Sequence, residues 1–153
     1  MKKIDIGSML FHILTPILLG SVVGIVFNDY TSYIDELNKT ITVPKLVFPI
    51  VWSVLYLLIG IWYHYFEKES ITRNKVIYYA LLALNFLFTP VLFYFENIVL
   101  ALIIVAILLI GNIYLLINSL RKGKYGYLLI PYVLWLAFAT ILMVDLLINN
   151  VIM

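Results

Sequence analysis

Asn97-Ile98-Val99-Leu100-Ala101-Leu102-Ile103-Ile104-Val105-Ala106-Ile107-Leu108-Leu109-Ile110-Gly111-Asn112-Ile113-Tyr114-Leu115-Leu116-Ile117-Asn118-Ser119-Leu120 contains no Asp, Glu, Lys or Arg. At about 1.5 Å of rise per residue, a helix of this length crosses the roughly 30 Å of a bilayer's hydrocarbon. Outward from it, further charge-free runs occupy 6–28, 46–66, 76–95 and 125–144, separated by short charged connectors. Composition agrees: of 153 residues, 65% are hydrophobic and 12% charged, with mean hydropathy +1.09. A soluble domain is about half apolar and about a quarter charged. The expectation is an all-α integral membrane protein, a five-helix bundle forming one domain over 1–153. Its helices fall at about 6–28, 44–66, 76–95, 98–120 and 125–149. No length remains for a soluble catalytic domain. The absence of cysteine excludes disulfides, thiolate metal sites and cysteine nucleophiles. A net charge of +2, dispersed along the chain, argues against nucleic acid as a partner.

Met1-Lys2-Lys3 begins the chain as a secretory signal would, but the apolar run that follows exceeds a signal core and ends in no Ala-x-Ala-like site. It is therefore read as a span, with Gly20 and Gly24 forming a GxxxG that serves helix packing. Basic residues set the orientation: Lys2, Lys3, Lys68, Arg73, Lys75, Arg121, Lys122 and Lys124 fall on one side, and only Lys39 and Lys45 on the other. By the positive-inside rule the amino terminus is cytoplasmic. The first connector, about 29–43, is then external, acidic through Asp29, Asp35 and Glu36, and the longest. Long connectors between short ones are more often functional. Five spans cannot divide into two repeats, which disfavours a two-repeat transporter.

Helical spacing of about 100° per residue gathers side chains on faces. Trp52, Tyr56, Ile59 and Tyr63 share one on the second span; Asn85, Thr89, Leu92 and Glu96 share one on the third; Tyr132, Trp135, Ala139 and Met143 share one on the fifth. Three helices can thus bring two indoles, two phenols, an amide and a hydroxyl to one space. Spans use aromatics for core packing and interfacial belts, or to line a slot for a flat apolar ligand; spacing leaves both open. Trp62, Tyr63, His64 and Tyr65 read as an interfacial belt, as do Tyr125 and Tyr127. His12 and His64 read as lone imidazoles, Asp145 as interfacial, and Glu96-Asn97 as a tight turn. Pro44 begins the second span with Pro49 in its first turns, while Pro16, Pro90 and Pro131 interrupt the first, third and fifth. Such breaks are tolerated where neighbours satisfy the freed carbonyls or a cavity is lined. No serine triad, phosphate loop or carboxylate pair supports an enzyme independently.

The residue order is also informative. Tyr33-Ile34-Asp35-Glu36-Leu37-Asn38-Lys39, Thr42-Val43-Pro44 and Val47-Phe48-Pro49-Ile50-Val51-Trp52-Ser53-Val54-Leu55-Tyr56 resemble the first loop and second helix of the TspO/MBR family, the tryptophan-rich sensory proteins that include the mitochondrial translocator protein. Leu84-Asn85 with Phe93-Tyr94-Phe95 resembles that family's third helix. Leu129-Ile130-Pro131-Tyr132-Val133-Leu134-Trp135-Leu136-Ala137-Phe138-Ala139-Thr140 resembles its fifth and is the most specific block.

The resemblance implies a five-helix bundle, often a homodimer, with a pocket near the first loop for porphyrins, haem-like tetrapyrroles, sterols and isoquinoline-type drugs. For some bacterial members it implies light-dependent breakdown of protoporphyrin IX, which here would involve Trp52 and Trp135. Ala139 matches the fifth-helix position that admits ligand, Tyr56 a pocket wall, and Asn85 a polar position. The full expected ligand-binding set is Trp52, Tyr56, Asn85, Thr89, Leu92, Tyr132, Trp135, Phe138, Ala139, Tyr33 and Pro44, with no resident cofactor and no metal. The expected host is a bacterial plasma membrane. A small transporter of apolar molecules, or a regulatory membrane partner without ligand chemistry, is the alternative.

This chain departs from the family in its loop. Lys39-Thr40-Ile41-Thr42-Val43-Pro44 replaces the usual Lys-Pro-x-Trp-x-Pro-Pro, one residue shorter and without its Trp. Thr89-Pro90 and Leu142-Met143 also differ from the usual residues. No basic residue follows Lys124, so the cholesterol pattern after Tyr132 is missing.

Overall fold

The computed structural model describes residues 5–27 and 32–153. Lys2, Lys3 and Asp29, used above for orientation and loop charge, lie outside the described residues. The elements are α1 (Ile6–Val26), a short α2 (Ser32–Glu36), α3 (Val47–Glu69), α4 (Thr72–Phe93) and α5 (Ile98–Lys122). A 3-10 segment, Lys124–Leu129, then leads into α6 (Ile130–Leu147), which continues as a wider π turn over Ile148–Ile152. Five of these helical stretches are long and apolar enough to cross a membrane. The protein is an all-α, multi-pass integral membrane protein.

Helix ends follow local chemistry. Asp5 caps α1 by accepting the Ser8 amide, and Asn97 caps α5 by accepting the Leu100 amide. Glu96 takes a left-handed φ of 52° and closes the turn between α4 and α5, so it leaves the inner face expected for it and is exposed. Pro16 and Pro90 sit within helices, whereas Pro131 starts α6, where a missing amide costs nothing. That corrects its reading as an interruption. Pro44 precedes α3: its carbonyl accepts the Val47 amide in a turn, and the helix starts at Val47. The charged stretch expected at 67–75 is mostly helical, and only Ser70 and Ile71 join α3 to α4.

Hydroxyls within the spans return to their own helices. Thr15, Ser21, Ser53 and Thr140 each donate to the carbonyl four residues earlier. This satisfies them where lipid offers no partner. Leu10, Leu14, Leu18, Ile103, Ile107 and Ile110 are exposed, as lipid-facing residues are.

α1 packs along α3 and also touches α4; α5 packs between α4 and α6. The 3-10 segment lies against both α3 and α5. At the α1–α3 crossing the backbones nearly touch at Gly60, where an added Cβ would stand 2.5 Å from the Ile13 Cα and 2.7 Å from the His12 carbonyl oxygen.

This close packing buries the basic end of α3. Trp62, Tyr63 and His64 are core residues, not an interfacial belt. The Trp62 indole donates to the Ser119 hydroxyl at 2.9 Å and stacks on Phe66, with centroids 4.5 Å apart. Tyr63 stacks on Tyr78 at 3.9 Å. Of the four α3 residues assigned to a belt, only Tyr65 is not fully buried, and it stacks on Tyr125, while Tyr127 is exposed. The two histidines also meet: His12 Nε2 lies 2.7 Å from a Glu67 carboxylate oxygen, its ring is 6.2 Å from that of His64, and Lys68 donates to His64.

Candidate functional site

Toward the loop end, α3 and α6 turn their aromatic faces to each other. Trp52 lies 5.3 Å from Tyr56, 6.2 Å from Tyr132 and 6.4 Å from Trp135, between ring centroids. The 6.4 Å contact is edge-to-face, an arrangement favoured by the ring quadrupoles. Trp135 also meets Phe138 at 5.5 Å and Phe48 at 5.9 Å. Tyr132 is buried, whereas both indoles and Tyr56 are partly exposed. One cluster therefore has a sealed floor and open edges.

Tyr56 joins three helices. Its hydroxyl accepts from the Asn85 amide of α4 at 3.0 Å, and its ring lies 5.9 Å from Phe86. On the other side it presses on Gly20 of α1, where a Cβ would come within 2.5 Å of the ring. Gly20 thus admits an aromatic ring, while Gly24, the other half of the GxxxG, has nothing within 4 Å among the described residues.

Trp52, Tyr56, Asn85, Tyr132, Trp135 and Phe138 are thus brought together. Ala139 is half-buried one residue beyond Phe138 and packs against the core. Thr89 is half-buried one turn past Asn85, and Leu92 is buried further along α4. Tyr33 and Pro44 are not among these ring contacts. Tyr33 donates to the Glu96 carbonyl and borders an open recess of about 400 Å³ with Leu37, Phe95 and Asn150. Pro44 is exposed. Phe48 and Phe86 belong to the cluster but were not among the expected residues. Phe48 stands four residues before Trp52, so the same helical spacing pointed to it.

The loop is fixed at both ends. Lys45 bonds Asp35 and holds that carboxyl below its usual range. Lys39 donates to the Ile34 carbonyl, closing the loop back on α2. Asp145, read as interfacial, accepts the Thr40 and Ile41 amides, at 2.9 and 3.2 Å, from the outer part of α6.

Comparison with known proteins gives a consistent answer. The sequence profile of the TspO/MBR family matches residues 12–148. A tryptophan-rich protein TspO from Archaeoglobus fulgidus is 32% identical over 117 residues, 73% of this chain and 75% of the relative. One of the same name from Bacillus cereus is 30% identical over 127 residues, 79% and 82% of the two chains. An uncharacterized membrane protein, YtaB, from Bacillus subtilis is 28% identical over 148 residues, 93% and 94%. With the profile covering nearly the whole length and the aromatic cluster built on the motifs that carried the resemblance, the chain belongs to the TspO/MBR family.

Proposed function

We propose that this protein binds flat apolar ligands, tetrapyrroles such as protoporphyrin IX and isoquinoline-type drugs, against the Trp52–Trp135 face, as a homodimer in a bacterial plasma membrane. The observation that carries this reading is the convergence of two indoles and two phenols from α3 and α6, with edges left partly exposed. Stacking gives roughly 0.5–1.5 kcal/mol per aromatic pair beyond area burial, so several rings together favour a planar ligand. One N–H of the Asn85 amide serves Tyr56; its second N–H, Thr89 and the loop amides other than those of Asn38, Thr40 and Ile41 are left to meet a propionate.

Light-driven breakdown of the bound porphyrin is the activity attached to this reading. An excited porphyrin needs an oxidisable ring in contact, and indole is the most readily oxidised aromatic side chain. Illumination of the protoporphyrin complex, followed by porphyrin absorbance, tests it. Trp52→Phe and Trp135→Phe should each slow conversion several-fold while keeping most of the binding. Trp62→Phe should convert at the wild-type rate although it loses the Ser119 bond, worth about 1 kcal/mol of stability. Wild type that bleaches like free porphyrin removes the photochemical activity and leaves binding standing. Slowing by Trp62→Phe alone would put the ligand on the wrong face.

The end bearing Lys68, Arg73, Arg121 and Lys124 is assigned to the cytoplasm on charge. In this cysteine-free chain, a single cysteine replacing exposed Lys68 should resist a membrane-impermeant maleimide in sealed cells, and one replacing exposed Thr42 should react. The opposite pattern would reverse the orientation.

A further inference from the structure

The basic end of the bundle carries more positive charge than the chain neutralises. Lys68, Arg73, Lys75, Arg121, Lys122 and Lys124 stand there, against Asp5, Glu67 and Glu69 among the described residues. Each of these carboxylates is engaged elsewhere: Asp5 with the Ser8 amide, Glu67 with His12, and Glu69 with the Tyr125 hydroxyl. Among the described residues the one ion pair made by a lysine or arginine, Lys45–Asp35, is at the opposite end. Lys122 reaches a backbone carbonyl, that of Glu69, and Arg73 a neutral hydroxyl, that of Tyr114.

Two of these cations stand over one seam. α4 and α5 are neighbours joined by the Glu96 turn and run antiparallel. Leu81 lies against Gly111, where an added Cβ would stand 2.7 Å from the leucine side chain. Two turns from that contact toward the basic end, α4 reaches Asn74 and α5 reaches Asn118, so Arg73 and Arg121 differ by less than one turn in height. The Arg73 guanidinium donates to the Tyr114 hydroxyl at 3.1 Å, which donates in turn to buried Asn74 at 3.0 Å. This tether uses one of five N–H donors and leaves the rest of the fork open.

Both helices continue below their arginine as an apolar row. Ala80 falls within about 20° of Arg73 on α4, and Ile117 and Ile110 fall within about 40° of Arg121 on α5. All three are exposed. Tyr114 belongs to the same α5 row and makes the bond to Arg73, so the two rows flank a single seam.

We propose that the α4–α5 seam at the basic end binds an anionic phospholipid, its phosphate held between Arg73 and Arg121 and an acyl chain lying along the rows below. Guanidinium forks match phosphate oxygens in pairs. The unneutralised surplus favours a head group of net negative charge over a zwitterionic one, and basic pockets between spanning helices take such head groups. The apolar rows that run on from both arginines fit a lipid, not a free ion. The site uses no residue of the Trp52–Trp135 face, and it stands whether or not that face binds a porphyrin.

Electron paramagnetic resonance of spin-labelled phosphatidylglycerol and spin-labelled phosphatidylcholine, each with the full-length protein in phosphatidylcholine vesicles, gives the ratio of their association constants. Wild type should favour phosphatidylglycerol by at least about fivefold, and Arg73→Gln and Arg121→Gln should each remove most of that preference. Arg121→Gln leaves the Tyr114 bond in place and decides the matter if Arg73→Gln fails to fold. Lys124→Gln, beyond the end of α5, should keep most of the preference. Inorganic phosphate, added against chloride at equal ionic strength, should leave it unchanged. A wild-type ratio near one overturns the proposal, as does a preference that folded Arg121→Gln retains. An equal loss in Lys124→Gln would reduce the site to diffuse charge, and displacement by inorganic phosphate would make it a free-anion site; either result also overturns it.

Discussion

Ala139→Leu should lower protoporphyrin IX affinity by at least about tenfold while the protein still folds and unfolds at nearly the wild-type temperature. Ala139 follows Phe138 on the α6 face that carries Trp135, and it is only half-buried. Three added carbons there would project into the space assigned to the ligand. Filling a tightly packed site costs typically 1–3 kcal/mol, and about 1.4 kcal/mol is already tenfold in affinity. The partial exposure of the site lets leucine find room in the free protein, so the cost falls on the complex. Equilibrium titration beside a thermal melt separates the two. Unchanged affinity would place the ligand elsewhere.

Gly60→Ala should be the most destabilising small change in the chain. The atoms its Cβ would strike are backbone atoms of Ile13 and His12, which cannot turn aside as a side chain can. α1 must move as a body, and the bond from His12 to Glu67 must stretch with it. Alanine gains about 1 kcal/mol of helix propensity over glycine, but overpacking against backbone reaches the upper part of the 1–3 kcal/mol range or beyond, so the steric term wins. Gly24→Ala is the matched control, since no described residue stands within 4 Å of its added Cβ and the propensity gain remains. Thermal unfolding in detergent should show Gly60→Ala several degrees below wild type and Gly24→Ala at or above it. Equal melting of the two would contradict the close α1–α3 approach.

The spans were legible because lipid imposes a simple rule: no charge across about 20 residues. That rule locates hydrocarbon, not helix ends. It missed that Thr72–Lys75 are helical and that Val47, after a Pro44 turn, begins α3. The facing aromatics were legible for a related reason. Trp52 and Tyr56, like Tyr132 and Trp135, sit four and three residues apart, and one helical face carries both members of each pair. Which faces would meet was not encoded in spacing, and it came from the family motifs.

The basic end was misread on composition. Trp62, Tyr63 and His64 have the residue types of an interfacial belt, and they are buried because α1, α4 and α5 close on them through His12, Tyr78 and Ser119. Tyr125, Gly126 and Tyr127 gave no periodic signal for the 3-10 segment Lys124–Leu129. His12 and Glu67 are 55 residues apart, and the Asp145 bonds to the loop span more than 100, so neither pairing could be read locally.

The central claim, a built site for a planar ligand on the Trp52–Trp135 face, is tested most directly by absorbance titration of the purified protein with protoporphyrin IX in detergent, against empty detergent and Ala139→Leu. The account predicts a saturable, stoichiometric shift of the porphyrin band in wild type, much weakened in the variant. A linear response matching empty detergent, or one identical in wild type and Ala139→Leu, would contradict it.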